Sequence, residues 1–174
     1  MPFTARRLSK QPIIQPDMDT RMGDNINGPS LIKAPAWLPT PPGRDLLYFA
    51  DHKGAYLRLA FSGTLAGPWT MYSPGCLDLD ASLFPTDLLP EGARPDWVKE
   101  SSQWYYPHIA SPDVHVDDET QEVRMYFHGM LTTGEQMTRV ARSNDGLHFQ
   151  VEPDLLGPPY FRVFKHEDWH YALA

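Results

Sequence analysis

G-P-S-L-I-K (Gly28–Lys33), S-P-D-V-H-V (Ser111–Val116) and G-P-P-Y-F-R-V-F (Gly157–Phe164) fall into register when Pro29, Pro112 and Pro158 are aligned. The first two are each followed by a turn and an aromatic-rich stretch, L-L-Y-F-A-D-H (Leu46–His52) and V-R-M-Y-F-H-G (Val123–Gly129). A third stretch then closes on glycine and an aromatic ring, Ala55 to Trp69 in one copy and Met137 to Phe149 in the other. The third copy starts at Pro158 and runs through Trp169 to Ala174. Within these stretches apolar and polar residues alternate, as Val114 and Val116 do against His115, which is the period of a strand. A supersecondary unit repeated along a chain marks a propeller or solenoid, whose units bury their faces only against one another. The expected fold is all-β, a β-propeller with about two and a half blades in these residues.

The spacing divides the chain into an N-terminal segment (1–26), a first blade (27–79), an insertion (80–107), a second blade (108–156) and the start of a third (157–174). Turn chemistry separates the strands: Thr40-Pro41-Pro42-Gly43 and Asp51 to Gly54 in the first unit, Asp117 to Thr120 and Thr133-Gly134 in the second. Proline presets φ in such turns and glycine accepts a positive one. Ile13-Ile14 is a candidate short strand closing a sheet elsewhere. The pattern predicts that the ring is completed outside these residues, by further chain or by a second copy in a homodimer, with further chain the preferred reading.

Composition narrows the partners more than the chemistry. Proline supplies 18 of 174 residues, about twice the usual share, and implies many turns and few long helices. No apolar run is long enough to span a membrane. The basic start, Arg6, Arg7 and Lys10, has no apolar stretch behind it, which argues against a secretory signal. The single cysteine, Cys76, excludes an internal disulfide, suits a cytoplasmic location and reads as a packed residue. A net charge of -7 argues against nucleic acid, which needs a basic face, and makes a neutral or small polar ligand the default.

The insertion concentrates aromatic rings: Trp97, Trp104, Tyr105 and Tyr106 fall within ten positions. Two readings stand side by side, a cap over the core between blades and a stacking platform for sugar rings. A short helix is expected near Asp96 to Ser102, after Pro95. In a four-stranded blade the first strand lines the axis, and antiparallel pairing returns the end of the second strand to the face where the first began. Asn27, Gly28, Ser111 and Asp113 should therefore gather at one mouth of the channel with Asp51, His52 and His128.

Those residues also carry a resemblance. S-P-D-V followed by M-Y-F-H-G, with N-G-P-S-L-I-K and S-N-D-G-L-H-F (Ser143–Phe149), resembles the five-bladed β-propeller glycosidases around glycoside hydrolase family 43, over about Asn27 to Ala174. The resemblance implies a base Asp on the first blade, an orienting Asp on the second and an acid Glu on the third, since one carboxyl protonates the leaving oxygen while another activates water. Asp113 stands at the second position, but Gly28 and Leu156 occupy the other two. The chain is thus expected to be a glycoside hydrolase-like protein, acting on or binding an oligosaccharide with non-standard groups. Asp113, Asp51, His52 and His128 are the catalytic candidates, because an imidazole titrates near neutral pH. Asn27, His108, Trp97, Trp104 and Tyr105 are the candidates for contacts to the carbohydrate. No cofactor and no metal site are expected, though a channel ion such as calcium is compatible with the family. The alternatives are a non-catalytic carbohydrate-binding propeller, or a truncated, assembly-dependent module without activity of its own.

Overall fold

The computed structural model describes residues 3–7, 9–99 and 104–174. It contains two four-stranded antiparallel sheets and one hairpin. The first sheet is β1 (Ile26–Lys33), β2 (Asp45–Asp51), β3 (Tyr56–Ser62) and β4 (Thr70–Asp78), side by side in chain order. The second repeats that order with β5 (Ile109–Asp117), β6 (Glu122–Met130), β7 (Gln136–Ser143) and the short β8 (Gln150–Val151). β9 (Arg162–His166) and β10 (Trp169–Leu173) form the hairpin.

Among its described residues the insertion between the sheets carries a 3-10 turn (Glu91–Ala93) and a short α-helix, α1 (Asp96–Lys99). The rest of the helix expected up to Ser102 lies outside the described residues. Ile13 and Ile14 form no strand; Ile14 packs on the outer side of the first sheet. Among the described residues no helix is long and apolar enough to cross a membrane.

The sheets form because their middle strands are buried on both faces. In β2, Leu46, Tyr48 and Ala50 join the main core, while Leu47 and Phe49 pack on Met22, Ala60 and Trp69 on the other side. A strand in that position must be apolar along its whole length, which is why D-L-L-Y-F-A-D lacks the usual alternation. The main core lies between the two sheets, with Leu57 and Leu59 of β3 in one cluster with Ile109, Val123, Met125 and Phe127. Tyr48 crosses this core and donates a hydrogen bond of 2.8 Å from its hydroxyl to the Gly146 carbonyl at the end of the second sheet. Phe149 meets the Tyr48 ring edge-on.

The inner strands β1 and β5 meet at their openings. Each has a bulge at the repeated proline, between Asn27 and Ser30 in β1 and between Ala110 and Asp113 in β5. Proline has no N–H for the ladder, and a bulge leaves one residue unpaired, so the two features belong together. The residue before each proline has positive φ, 59° at Gly28 and 52° at Ser111. These two residues touch: a Cβ on Gly28 would lie 2.7 Å from Cα of Ser111. Alongside, Ser30 Oγ accepts a 2.8 Å hydrogen bond from the Val114 N–H, and the Gly54 carbonyl accepts one from Ile109.

Replacing Tyr48 with Phe leaves the buried Gly146 carbonyl without its donor and should lower unfolding stability by ~1–3 kcal/mol at unchanged fold. Denaturation by urea, with circular dichroism to confirm the native state, checks this. No loss would show that the link between the sheets does not hold them.

Candidate functional site

Strand ends from both sheets and the hairpin, with the segments that join them, build a cavity of about 350 Å³ where the inner strands meet. β1 contributes Asn27 and Gly28, the stretch leading into β5 contributes Tyr106, His108, Ala110 and Ser111, and β6 contributes His128. His52 enters from the turn after β2, Gln136 from the start of β7, and Tyr160 and Arg162 from the opening of the third unit. The topological expectation holds for Asn27, Gly28, His52, Ser111 and His128, which share this wall, and His108 joins them.

The imidazoles are held by different partners. Nδ1 of His108 donates to the Tyr106 carbonyl at 2.9 Å, which leaves Nε2 as the acceptor of a neutral ring. The Asn27 amide nitrogen lies 3.4 Å from Nδ1 of His52, and the Tyr106 hydroxyl donates to the His52 carbonyl at 2.9 Å. His128 is 2% exposed, and its Nδ1 is buried without a hydrogen-bond partner, as is Oδ1 of Asn27. The Tyr160 ring packs against His128 with centroids 4.6 Å apart, and His108 stands 6.0 Å away on another side. Burial, reinforced by the neighbouring His108, Arg162 and His52, lowers the His128 pKa to about 3. Burial also lowers that of His108, against the opposing pull of the Tyr106 carbonyl. His108 and His128 are thus neutral imidazoles at physiological pH: His108 offers an acceptor, and His128 both a donor and an acceptor.

The two carboxylates expected at this mouth do not line the cavity. Asp113 lies beyond the bulge of β5, where its Oδ2 accepts from His115 Nε2 and from the Val163 N–H of β9, both at 2.8 Å. Burial alone would raise its pKa, but those hydrogen bonds and the charges of His115 and Arg162 hold it below the ordinary value. Asp113 thus fastens the hairpin of the third unit to the second sheet. Asp51 ends β2, packs its carboxylate on Gly23 and stands 3.9 Å from the buried Arg58 guanidinium, which in turn donates to the Arg21 carbonyl. Leu156, at the position of the expected acid, is largely exposed outside the cavity, with its backbone paired to Thr138 of β7.

The insertion's rings adjoin the cavity. Trp97, Trp104 and Tyr105 line a hollow of about 100 Å³ that shares Gln136 with it. Trp97 and Trp104 are 57% and 52% exposed, and Trp104 meets the His52 ring edge-on. Tyr105 is buried: its hydroxyl donates to the Thr132 carbonyl and accepts from the Leu89 N–H. The insertion therefore serves both readings of its aromatics, the tryptophans as an exposed shelf and Tyr105 as a clasp. Cys76 is buried, and that burial raises its thiol pKa, so it is no nucleophile.

Tyr106, Gln136, Tyr160 and Arg162 were absent from the expected site. The rule that collects strand openings at one mouth applies equally to Pro158, and would have found Tyr160 and Arg162. Among the described residues no group of three His, Cys, Asp or Glu side chains is arranged to hold a metal ion. A separate cavity of about 260 Å³ on the far side of β5 does contain Asp117 and Glu119, but Arg124 and Lys165 are ion-paired to them.

The fold has solved counterparts. The fold matches CoXyl43, a GH43 β-xylosidase/α-arabinofuranosidase from a compost microbial metagenome solved with xylotriose in a calcium-free form, with a TM-score of 0.59 and 15% identity. It also matches an α-L-arabinofuranosidase from Clostridium thermocellum, with a TM-score of 0.57 and 17% identity. The matches cover 93% and 91% of this chain but 44% and 45% of those chains. By sequence, the chain is 32% identical over 157 residues to an uncharacterised protein of Acanthamoeba polyphaga mimivirus, spanning 84% of itself and 41% of that relative. The chain thus spans less than half the length of each of these proteins. No family model matches it. The architecture is β-propeller-like, with the fold of the GH43 glycosidases.

An unfolded histidine takes up a proton near pH 6.5, whereas buried His128 stays neutral down to about pH 3. Acidification through that window therefore favours the unfolded chain, and stability should fall as pH drops below about 6.5, before most carboxylates titrate. The His128 ring proton shifts should stay constant in NMR titrations down to pH 4, and His128→Asn should flatten the upper part of the stability profile. A His128 midpoint near 6.5 would contradict the buried neutral ring.

Proposed function

We propose that this protein recognises an oligosaccharide in the cavity at the mouth of its inner strands and does not hydrolyse it by paired carboxylates. The observation that carries this reading is the cavity wall: three imidazoles, two phenols and two amides, with no carboxylate among the described residues. Hydrolysis in this fold needs one carboxyl on each side of the glycosidic bond. A carboxylate at position 28 is not a simple reversion, because the space for its Cβ is occupied by the Ser111 backbone.

The retained acid, Asp113, is committed to His115 and Val163. What remains suits sugar recognition. Hydroxyls are bound by groups that both donate and accept, and by ring faces such as Tyr160 and the exposed Trp104. The cavity's volume suits a single sugar unit, with the tryptophan shelf in place to hold a neighbouring one. The reading takes the two sheets and the hairpin as part of a five-bladed ring, completed by further chain or by a second copy. Calcium prefers oxygen ligands, above all carboxylates. The cavity offers it imidazole nitrogens, so no step is routed through an ion.

Calorimetry with a panel of neutral and acidic oligosaccharides should show binding, while a reducing-end assay on the same panel shows no cleavage. Tyr160→Ala, at an exposed position, should weaken binding by about tenfold at unchanged stability. Release of reducing ends would replace this reading with an enzyme using the histidines; absence of any binding would remove carbohydrate as the ligand. Gly28→Asp should yield no hydrolysis and cost about 1–3 kcal/mol, since the inner strands must separate to admit it.

A further inference from the structure

The walls of the cavity are not electrically neutral, although the whole chain carries a net charge of -7. Arg162 reaches it from the start of β9, and its guanidinium makes one hydrogen bond, to the adjacent Phe161 carbonyl. Lys53 lies 5.2 Å from the centroid of the Tyr106 ring beside the same wall. Asp113, whose carboxylate interacts with the Arg162 charge, and Asp51, which stands by Arg58, both lie outside the cavity lining. His128, almost wholly buried, presents an unpartnered ring nitrogen among the cavity's groups. A buried polar atom without a partner costs free energy that a ligand can recover.

Resting on the reading that the ligand is a saccharide, we infer that this cavity selects a sugar unit bearing an anionic substituent, a carboxylate or a sulfate ester, with Arg162 as its principal contact. The planar guanidinium can receive two oxygens of such a group side by side. Neutral His128 can supply a donor at close range without the cost of burying a further full charge, whereas His108, its one N–H given to the Tyr106 carbonyl, offers only an acceptor. A carboxylate in the wall would repel this ligand, and none lines it among the described residues. The cavity holds one arginine rather than a row of them, which suits a single anionic group and not a polyanion such as nucleic acid.

The test compares α-1,4-linked galactotriose with its 6-carboxylate counterpart, trigalacturonate, and with its 6-O-sulfated counterpart, by calorimetry on the intact protein, with inorganic sulfate as a further arm. At least one acidic trisaccharide should bind about tenfold or more tighter than galactotriose, a difference that shrinks in high salt. The tighter of the two acidic sugars identifies the source of the anionic group. Arg162→Gln should abolish the preference, bringing the affinity for the acidic sugars down to that for galactotriose, and its exposed position lets the variant fold. Equal binding of neutral and acidic sugars would overturn the anionic selectivity and leave saccharide recognition standing. Binding of none of the sugars would overturn both, as would inorganic sulfate binding as tightly as the acidic sugars.

Discussion

The contact on which the rest of this structure depends is the one between Gly28 and Ser111. Two inner strands approach until backbone meets backbone, at a separation that leaves no room for a β-carbon. Both residues have left-handed φ, and both precede a proline seated in a bulge. Bulges re-aim side chains and end regular pairing. Here they let the sheets converge at one end, and the cavity forms in the space that convergence leaves. The hydrogen bond between Ser30 and Val114, the core shared by both sheets and the reach of Tyr48 to Gly146 all require this approach.

The same contact constrains the chemistry. At this opening the space beside position 28 belongs to the neighbouring strand, so no side chain there can reach into the cavity. What lines the cavity is a set of hydrogen-bonding rings, of which His108 and His128 are kept neutral by burial and by neighbouring charges. Overall charge was a poor guide to this site, because most acids lie on outer turns while the cavity takes its one full charge from Arg162. A protein's net charge describes its distant field, whereas ligand selection is decided within a few ångströms, where screening by water is weakest.

Much of the fold was legible because strand repeats leave a periodic record. Pro29 and Pro112 sit in equivalent bulges of β1 and β5, whereas Pro158 precedes β9, and the turns fell where proline, glycine and aspartate placed them. Antiparallel pairing then brought Asn27, His52 and His128 together without any knowledge of contacts. The acids were the failure of that logic. Asp113 and Asp51 are on the right strands and near the right ends, but topology locates a residue only to within a turn of the chain. A bulge and a competing partner decided where each carboxylate went: His115 and Val163 took one, Gly23 and Arg58 framed the other. Trp97, Trp104 and Tyr105 show the same limit, since three neighbouring rings in one insertion divide between an exposed shelf and a buried clasp.

By itself, then, the sequence determined the unit and its repetition, because these are properties of residue order and spacing. Tertiary structure alone decided that position 28 has no room for a β-carbon, that Asp113 is a fastener between the second sheet and the hairpin, and that Arg162 faces the histidines. Each of these depends on distances between segments far apart in the chain. Such distances are set by how strands bulge and pack, which no local pattern encodes.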